Sequence, residues 1–102
     1  MSNRKGYLLA ELDVTDPVYF NAEYMPRVQP VLQHYGARFL VATDAPEVRE
    51  GGRVAKRVVF IEFDSPARAR EFYDSKNYQD VIGYRFDSAT AHLYILDGVE
   101  TS

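Results

Sequence analysis

Four groups of residues have the types and spacing to do chemistry. Glu11 and Glu62 each stand among apolar residues, in the segments Tyr7–Val14 and Val54–Phe63. Two carboxylates in a part-buried site can have raised pKa values and serve as acid and base. The competing role is an ion pair with Arg38, Arg57 or an arginine of a second copy, since structural pairs also perturb pKa values. His92 is expected on the same face, where an imidazole can act as a general base near neutral pH. A strand histidine is otherwise a packed, hydrogen-bonded residue. Tyr73, Tyr78 and Arg85 surround a break in the second helical region. A guanidinium with two phenols can bind a small carboxylate or an enolate oxygen. The alternative is that Arg85 caps exposed carbonyls at the break while the tyrosines pack. The candidate catalytic residues are therefore Glu62, His92 and Tyr73. The candidate ligand-binding residues are Arg85, Tyr78, Arg38 and Glu11.

Other chemistries find no support. The chain has no cysteine, which removes disulfides, thiolate metal sites and cysteine nucleophiles. His34 and His92 are too far apart in sequence to form a metal-ligand spacing, so no metal is expected. His34 closes the first helix, where it can interact with the helix dipole. Gly51-Gly52 reads as a turn, not a phosphate loop. No Ser-His-Asp arrangement can be read from the spacing, and no cofactor is implied. The net charge is -3 and the basic residues are scattered, so no phosphate track exists. Lys56–Phe63 has the length of an RNA-recognition strand, but Arg57 and Val59 stand where that motif needs glycine, and Val58 where it needs an aromatic. No nucleic acid is expected.

The chain of 102 residues fits one domain, with its core between residues 6 and 98. The basic start Met1–Lys5 precedes an apolar run too short for a signal peptide. No segment reaches the roughly 20 apolar residues of a membrane span. A cytoplasmic protein is expected.

The elements that must position these residues follow from periodicity. Tyr7–Val14 is a strand whose even positions are all apolar. Asp16-Pro17 opens a helix. Its stripe is Phe20, Tyr24, Val28, Val31 and Tyr35, with a bend near Met25 imposed by Pro26 and Pro30. Gly36 ends it. Arg38–Thr43 is the second strand and Val54–Phe63 the third. Residues 44 to 53 form a loop in which Glu47–Arg49 has room for a brief hairpin arm. Ser65-Pro66 caps the next helix, whose Ala69, Phe72 and Tyr73 face the sheet. Asp74–Asn77 is a break, and Tyr78–Phe86 a short helix with Tyr78, Val81, Ile82 and Arg85 on one side. Ala89–Leu96 is the last strand, and the residues after Gly98 are expected to fray. The order is that of a ferredoxin-like βαββαβ fold, α+β, with an antiparallel sheet in the order 4-1-3-2.

Sorting the strands by face leaves a problem. One face gathers Leu8, Ala10, Leu12, Val59, Ile61, Phe63, Phe39, Val41, Leu93 and Ile95, and belongs under the helices. The other gathers Tyr7, Leu9, Glu11, Val58, Phe60, Glu62, Arg38, Leu40, His92, Tyr94 and Leu96. It is too apolar to face water, and large exposed apolar patches mark interaction sites. A second copy of the chain is the simplest cover, so a homodimer through this face is expected.

Short pieces spread along the chain resemble the family catalogued as domain of unknown function 1330, in the dimeric alpha+beta barrel superfamily. They are Asp13-Val14-Thr15-Asp16-Pro17, Glu23-Tyr24, His34-Tyr35-Gly36-Ala37-Arg38-Phe39-Leu40, Val59–Ser65 and Ala69–Tyr78, with Arg85 and Ile95-Leu96-Asp97-Gly98. Gly36-Ala37 departs from the two glycines more usual there. The resemblance implies a dimeric ferredoxin-like fold and no established activity. Superfamily relatives include cofactor-free monooxygenases, haem-degrading enzymes and lactone isomerases, a fold-level analogy. The functional expectation is a homodimer acting on a small organic acid or ketone as a cofactor-independent oxygenase or isomerase. The alternative is a non-catalytic ligand-binding or structural dimer.

Overall fold

The structure is a computed structural model that describes residues 4–100. The first residues of the basic start, Met1–Asn3, and the end of the tail, Thr101 and Ser102, lie outside the described residues.

Strand β1 spans Gly6–Val14, and its alternation holds: Leu8, Ala10 and Leu12 are buried while their neighbours are half-buried. It lies at the centre of the sheet, antiparallel to β3 (Arg57–Phe63) on one side and β4 (Ala89–Asp97) on the other. Strand β2 (Arg38–Thr43) pairs with β3, giving the expected order read from the other edge, β2-β3-β1-β4. Gly6 permits the tightest approach. A Cβ there would collide with the Ser65 carbonyl oxygen and sit 2.6 Å from Pro66 Cα, so the start of β1 lies directly against the next helix.

Asp16 caps the first helical segment by accepting from the Tyr19 N–H at 3.1 Å. Helix α1 is Pro17–Tyr19, a π-helical turn follows over Phe20–Tyr24, and α2 runs Met25–His34. The bend expected near Met25 takes this form: the Met25 N–H reaches back five residues to the Phe20 carbonyl, just before Pro26, which has no N–H to donate. The buried stripe becomes Phe20, Tyr24, Val28 and Leu32. Leu32 takes the place expected of Val31, which with Tyr35 is only half-buried. Gly36 has φ of 70°, the left-handed turn expected there.

Three strand expectations are corrected. Strand β3 begins at Arg57, not Val54: β1 supplies no partner beyond Leu12↔Arg57, and β2 none beyond Thr43↔Val58. No strand forms over residues 44–56, so the hairpin arm at Glu47–Arg49 is absent. Val41 belongs to the open face, not under the helices. A bulge between Phe39 and Val41 pairs Val41 with Phe60, so the period of two slips by one residue.

Ser65 caps α3 (Pro66–Asp74), accepting from the Arg68 N–H at 3.1 Å. The expected break narrows to Ser75. Its backbone is extended, and its hydroxyl caps α4 (Lys76–Gln79) by accepting from the Tyr78 N–H at 3.0 Å. Asp80 and Val81 separate α4 from α5 (Ile82–Phe86), two short helices where one was expected. Tyr78, Ile82 and Arg85 nonetheless share the buried side.

The core lies between the helices and one face of the sheet, centred on Phe63, Phe72, Tyr78 and Ala69. The Cα envelope measures 43 × 36 × 16 Å. At that thickness only two layers are present, so the second face of the sheet has no cover among the described residues. No helix among the described residues is long and apolar enough to cross a membrane.

Candidate functional site

The buried side of α5 brings a charge into the core. Arg85 is only 5 % exposed, and no carboxylate pairs with it among the described residues. Its Nε is buried without a hydrogen-bond partner. Its guanidinium carbon lies 5.2 Å from the centre of the Phe86 ring. A buried cation without a carboxylate is costly, because burial strips its hydration and the Phe86 ring returns only part of it.

Arg85 lines a cavity of about 70 Å³ between the sheet and the helices. Leu8, Ala10, Leu12, Val59, Ile61 and Leu93 form its sheet wall, and Phe20, Tyr24, Met25, Val28 and Leu32 its helix wall. Tyr78 and Phe72 close one side. The polar groups are few. The Tyr24 and Tyr78 hydroxyls are 3.0 Å apart, a buried hydrogen bond. Burial pushes the Tyr24 phenol far above the ordinary range, the neighbouring Tyr78 adds to the rise, and Arg85 opposes it. Tyr24 therefore stays protonated. Arg57 also lines the cavity but is held by Asp44 at 2.6 Å.

The residues expected to form the site divide into two groups. Arg85 and Tyr78 come together in this cavity. Tyr73 does not line it; its ring packs against Tyr78 at 5.5 Å and supports that side chain from behind. The second phenol is Tyr24, which sequence reasoning placed in the helical stripe as a core residue. The available signal was its hydroxyl, which a stripe of Phe, Val and Leu has no use for and which needs a partner when buried.

Glu62, Arg38, Glu11 and His92 lie on the open face instead. Arg38 Nε donates to Glu62 Oε1 at 3.0 Å, and the Tyr7 hydroxyl donates to Glu62 Oε2 at 3.3 Å. Arg38 also meets Asp64 at 3.0 Å. Arg53 holds Glu11 at 2.6 Å. The two carboxylates are not a pair: Glu62 sits opposite Tyr7 and Glu11 opposite Val58, four residues along the ladder. That spacing is about 13 Å. His92 sits opposite Glu11 and is exposed. Glu11, Arg53 and His92 line a polar recess of about 230 Å³ at the end of the sheet, with Asp13 and Lys56. It is larger than the inner cavity, but its charges satisfy one another, Lys56 holding Asp13 at 3.3 Å. Nothing there waits for a ligand. No cluster of three or more metal-ligating side chains occurs among the described residues.

Fold and cavity together define a ferredoxin-like α+β protein with an apolar pocket beneath its helices. The chain belongs to the family described as domain of unknown function DUF1330, which matches residues 5–99. Its fold is also that of several solved structures. A protein of unknown function from Rhodopseudomonas palustris superposes with a TM-score of 0.74 at 15% identity, covering 97% of this chain and 85% of the other. An uncharacterised NIPSNAP domain protein from Burkholderia xenovorans gives a TM-score of 0.59 at 13% identity, covering 97% and 95%. SnoaB, a cofactor-independent oxygenase from Streptomyces nogalater, gives 0.56 at 10% identity, covering 98% and 97%. At these identities the likeness extends to the fold alone. No curated protein matches the sequence.

Proposed function

We propose that the protein is a cytosolic homodimer that binds a small organic anion, an acid or enolised ketone, in the cavity between helices and sheet. The observation that carries this reading is Arg85: a guanidinium 5 % exposed, without a carboxylate among the described residues, on the wall of an apolar cavity. An anionic ligand would supply the missing partner, and two phenols stand beside it. The dimer reading is supported by the uncovered face of the sheet. There Tyr7 and Phe60 stack at 4.9 Å, and Leu40, Val41, Tyr94 and Leu96 are between 38% and 51% exposed.

In its enzyme form the protein is a cofactor-independent oxygenase or isomerase, a reading supported at the level of fold by the likeness to SnoaB. Arg85 and Tyr78 then hold the substrate. Glu62, His92, Glu11 and Arg38 lie across the sheet from it, so a direct part for them needs a site formed with the second copy. A non-catalytic binding protein is the second reading. It is favoured by the absence of any carboxylate or imidazole among the cavity's lining residues. Proton abstraction within the cavity has no resident base.

Thermal denaturation with a set of short carboxylic and keto acids tests the proposal. A ligand should raise the Tm in proportion to the logarithm of its concentration above Kd. Arg85→Met should abolish the shift. No shift with any acid at millimolar concentration, or an equal shift in Arg85→Met, would overturn it.

A further inference from the structure

Two guanidiniums line the inner cavity, Arg85 and Arg57, and they are held in opposite ways. Arg85 is buried and meets no carboxylate among the described residues. Arg57 opens β3, and its place in the alternation is an inward one: Val59, Ile61 and Phe63 follow at every second residue, all buried. An arginine there lays its stem along the cavity and carries its head to the edge. Its Nη1 donates to Asp44 Oδ1 at 2.6 Å. The Arg57 side chain is 27% exposed and that of Asp44 79%. Of the lining residues, Arg57 and Phe39 reach solvent, while Tyr78 and Phe72 are shut in. The mouth of the cavity therefore lies on the side of β2 and β3, and Arg57 stands in it.

The pair that holds Arg57 is easy to open. A carboxylate as exposed as Asp44 regains its water on release, and a pair of this kind is worth only about twofold to fivefold in an equilibrium constant. Asp44 also begins the connection of residues 44–56, which forms neither strand nor helix, so no ladder fixes its position. The space behind the pair is small. Its volume, about 70 Å³, is about half that of the ~150 Å³ cavity that takes up the six carbons of benzene, which leaves room for about three heavy atoms. Both arginines line this space, so an occupant that fills it lies within reach of both. A longer acid extends out through the mouth, past Arg57.

We propose that Asp44 is a resident competitor of the ligand: its carboxylate occupies Arg57, the cation at the mouth, and an anion that takes Arg57 from it is held by two guanidiniums instead of one. Arg57 is then a second specificity-determining group of the site, selecting for negative charge, and Asp44 sets how strongly it does so. The inference rests on the reading of Arg85 as the anion anchor.

The test titrates formate, which has three heavy atoms, and its neutral isostere formamide, and follows the amide resonances of the protein. The proteins are the wild type, Asp44→Asn, Arg57→Met, Arg85→Met and the double variant Asp44→Asn/Arg57→Met, with Arg57→Gln in place of Arg57→Met if the latter fails to fold. Ionic strength is held at about 0.15 M, where exposed charges more than about 8 Å apart are screened. Asp44→Asn should bind formate about twofold to fivefold more tightly than the wild type, and formamide no differently. With Arg57 replaced, the same substitution should give no gain. An unchanged formate affinity in Asp44→Asn, a gain that persists without Arg57, or an equal gain for formamide overturns this inference and leaves the anchor standing. Failure of both the wild type and Asp44→Asn to bind formate, or undiminished binding in Arg85→Met, overturns the anchor and this inference with it.

Discussion

Replacing Arg85 with methionine should stabilise the protein while destroying its ligand binding. The side chain is 5 % exposed, it has no carboxylate partner among the described residues, and its Nε is orphaned. Burying an ion costs several kcal/mol after relaxation, and an unsatisfied buried donor about 1–3 kcal/mol. One contact offsets part of this: the Phe86 ring at 5.2 Å contributes about 0.5–1 kcal/mol. Methionine fills a similar volume, keeps the apolar stem and brings no charge. The balance is a gain of roughly 1–3 kcal/mol for Arg85→Met, in the range seen when buried ionic groups are replaced by hydrophobic ones. For a domain of this size each kcal/mol moves the Tm by about 4–8 °C. Chemical denaturation of both proteins at matched concentrations measures the difference, with the slope of the transition checked for equality. A loss of stability of about 2 kcal/mol or more in Arg85→Met would refute the reasoning. It would mean that the guanidinium holds the helix break together. A gain in stability coupled to a loss of function is the mark of a residue kept for its site.

Three further outcomes are expected. Gly6→Ala should destabilise by about 1–3 kcal/mol, because the new methyl meets the Ser65 carbonyl and Pro66 at 2.6 Å; urea denaturation reads it, and a neutral result would show that α3 can shift away. Leu96→Arg places a charge on the open face of the sheet, where Leu96 is 38% exposed, and should convert a dimer to monomers in light scattering without changing the circular dichroism; an unchanged mass would remove this face from the interface. Stability should fall as the pH rises above about 10, where an unfolded tyrosine ionises. Tyr24 is held protonated in the fold, so the folded state binds the extra proton and its contribution is lost with rising pH, by up to about 1.4 kcal/mol per pH unit. Tyr24→Phe should flatten that slope, and an identical slope in the variant would show that Tyr24 is not the group responsible.

The parts of the fold that period alone controls were legible in the sequence. Leu8, Ala10 and Leu12 announce their face because nothing interrupts the alternation of β1. Asp16 and Ser65 announce helix starts because their side chains accept the first free N–H groups. Illegible were the places where the chain departs from period for tertiary reasons. The bulge at Phe39–Val41 moves Val41 across the sheet, and no local residue signals it. The late start of β3 follows from where β1 and β2 stop pairing, not from Val54–Lys56 themselves. The same distinction explains the site. Arg85 and Tyr78 share a helical face seven residues apart and can be grouped by spacing. Tyr24 joins them from 54 residues away, through a hydroxyl contact that only the packed structure brings about. Glu62 and Glu11 share a face, but sharing a face does not fix distance along a strand, and the ladder sets them apart.

On the proposed reading the two faces of the sheet carry separable tasks. On β1, Leu8, Ala10 and Leu12 wall the cavity, while Tyr7, Leu9 and Glu11 point the other way. On β3, Val59 and Ile61 wall it, while Phe60 and Glu62 stand behind. Arg85, Tyr24 and Tyr78, which line the cavity together, all belong to the helical side of one copy. The proposed anion site is thus complete within a single chain. Association through the open face would cover Tyr7, Phe60 and the Arg38–Glu62 pair without contributing a wall to the cavity. It would instead stiffen the floor: β1 and β3 are one backbone seen from both sides, and a sheet clamped from behind holds its cavity-facing residues in register. In the proposed dimer, assembly and recognition would be coupled through the strands alone, a coupling that lies in the backbone and not in any side chain shared by the two faces.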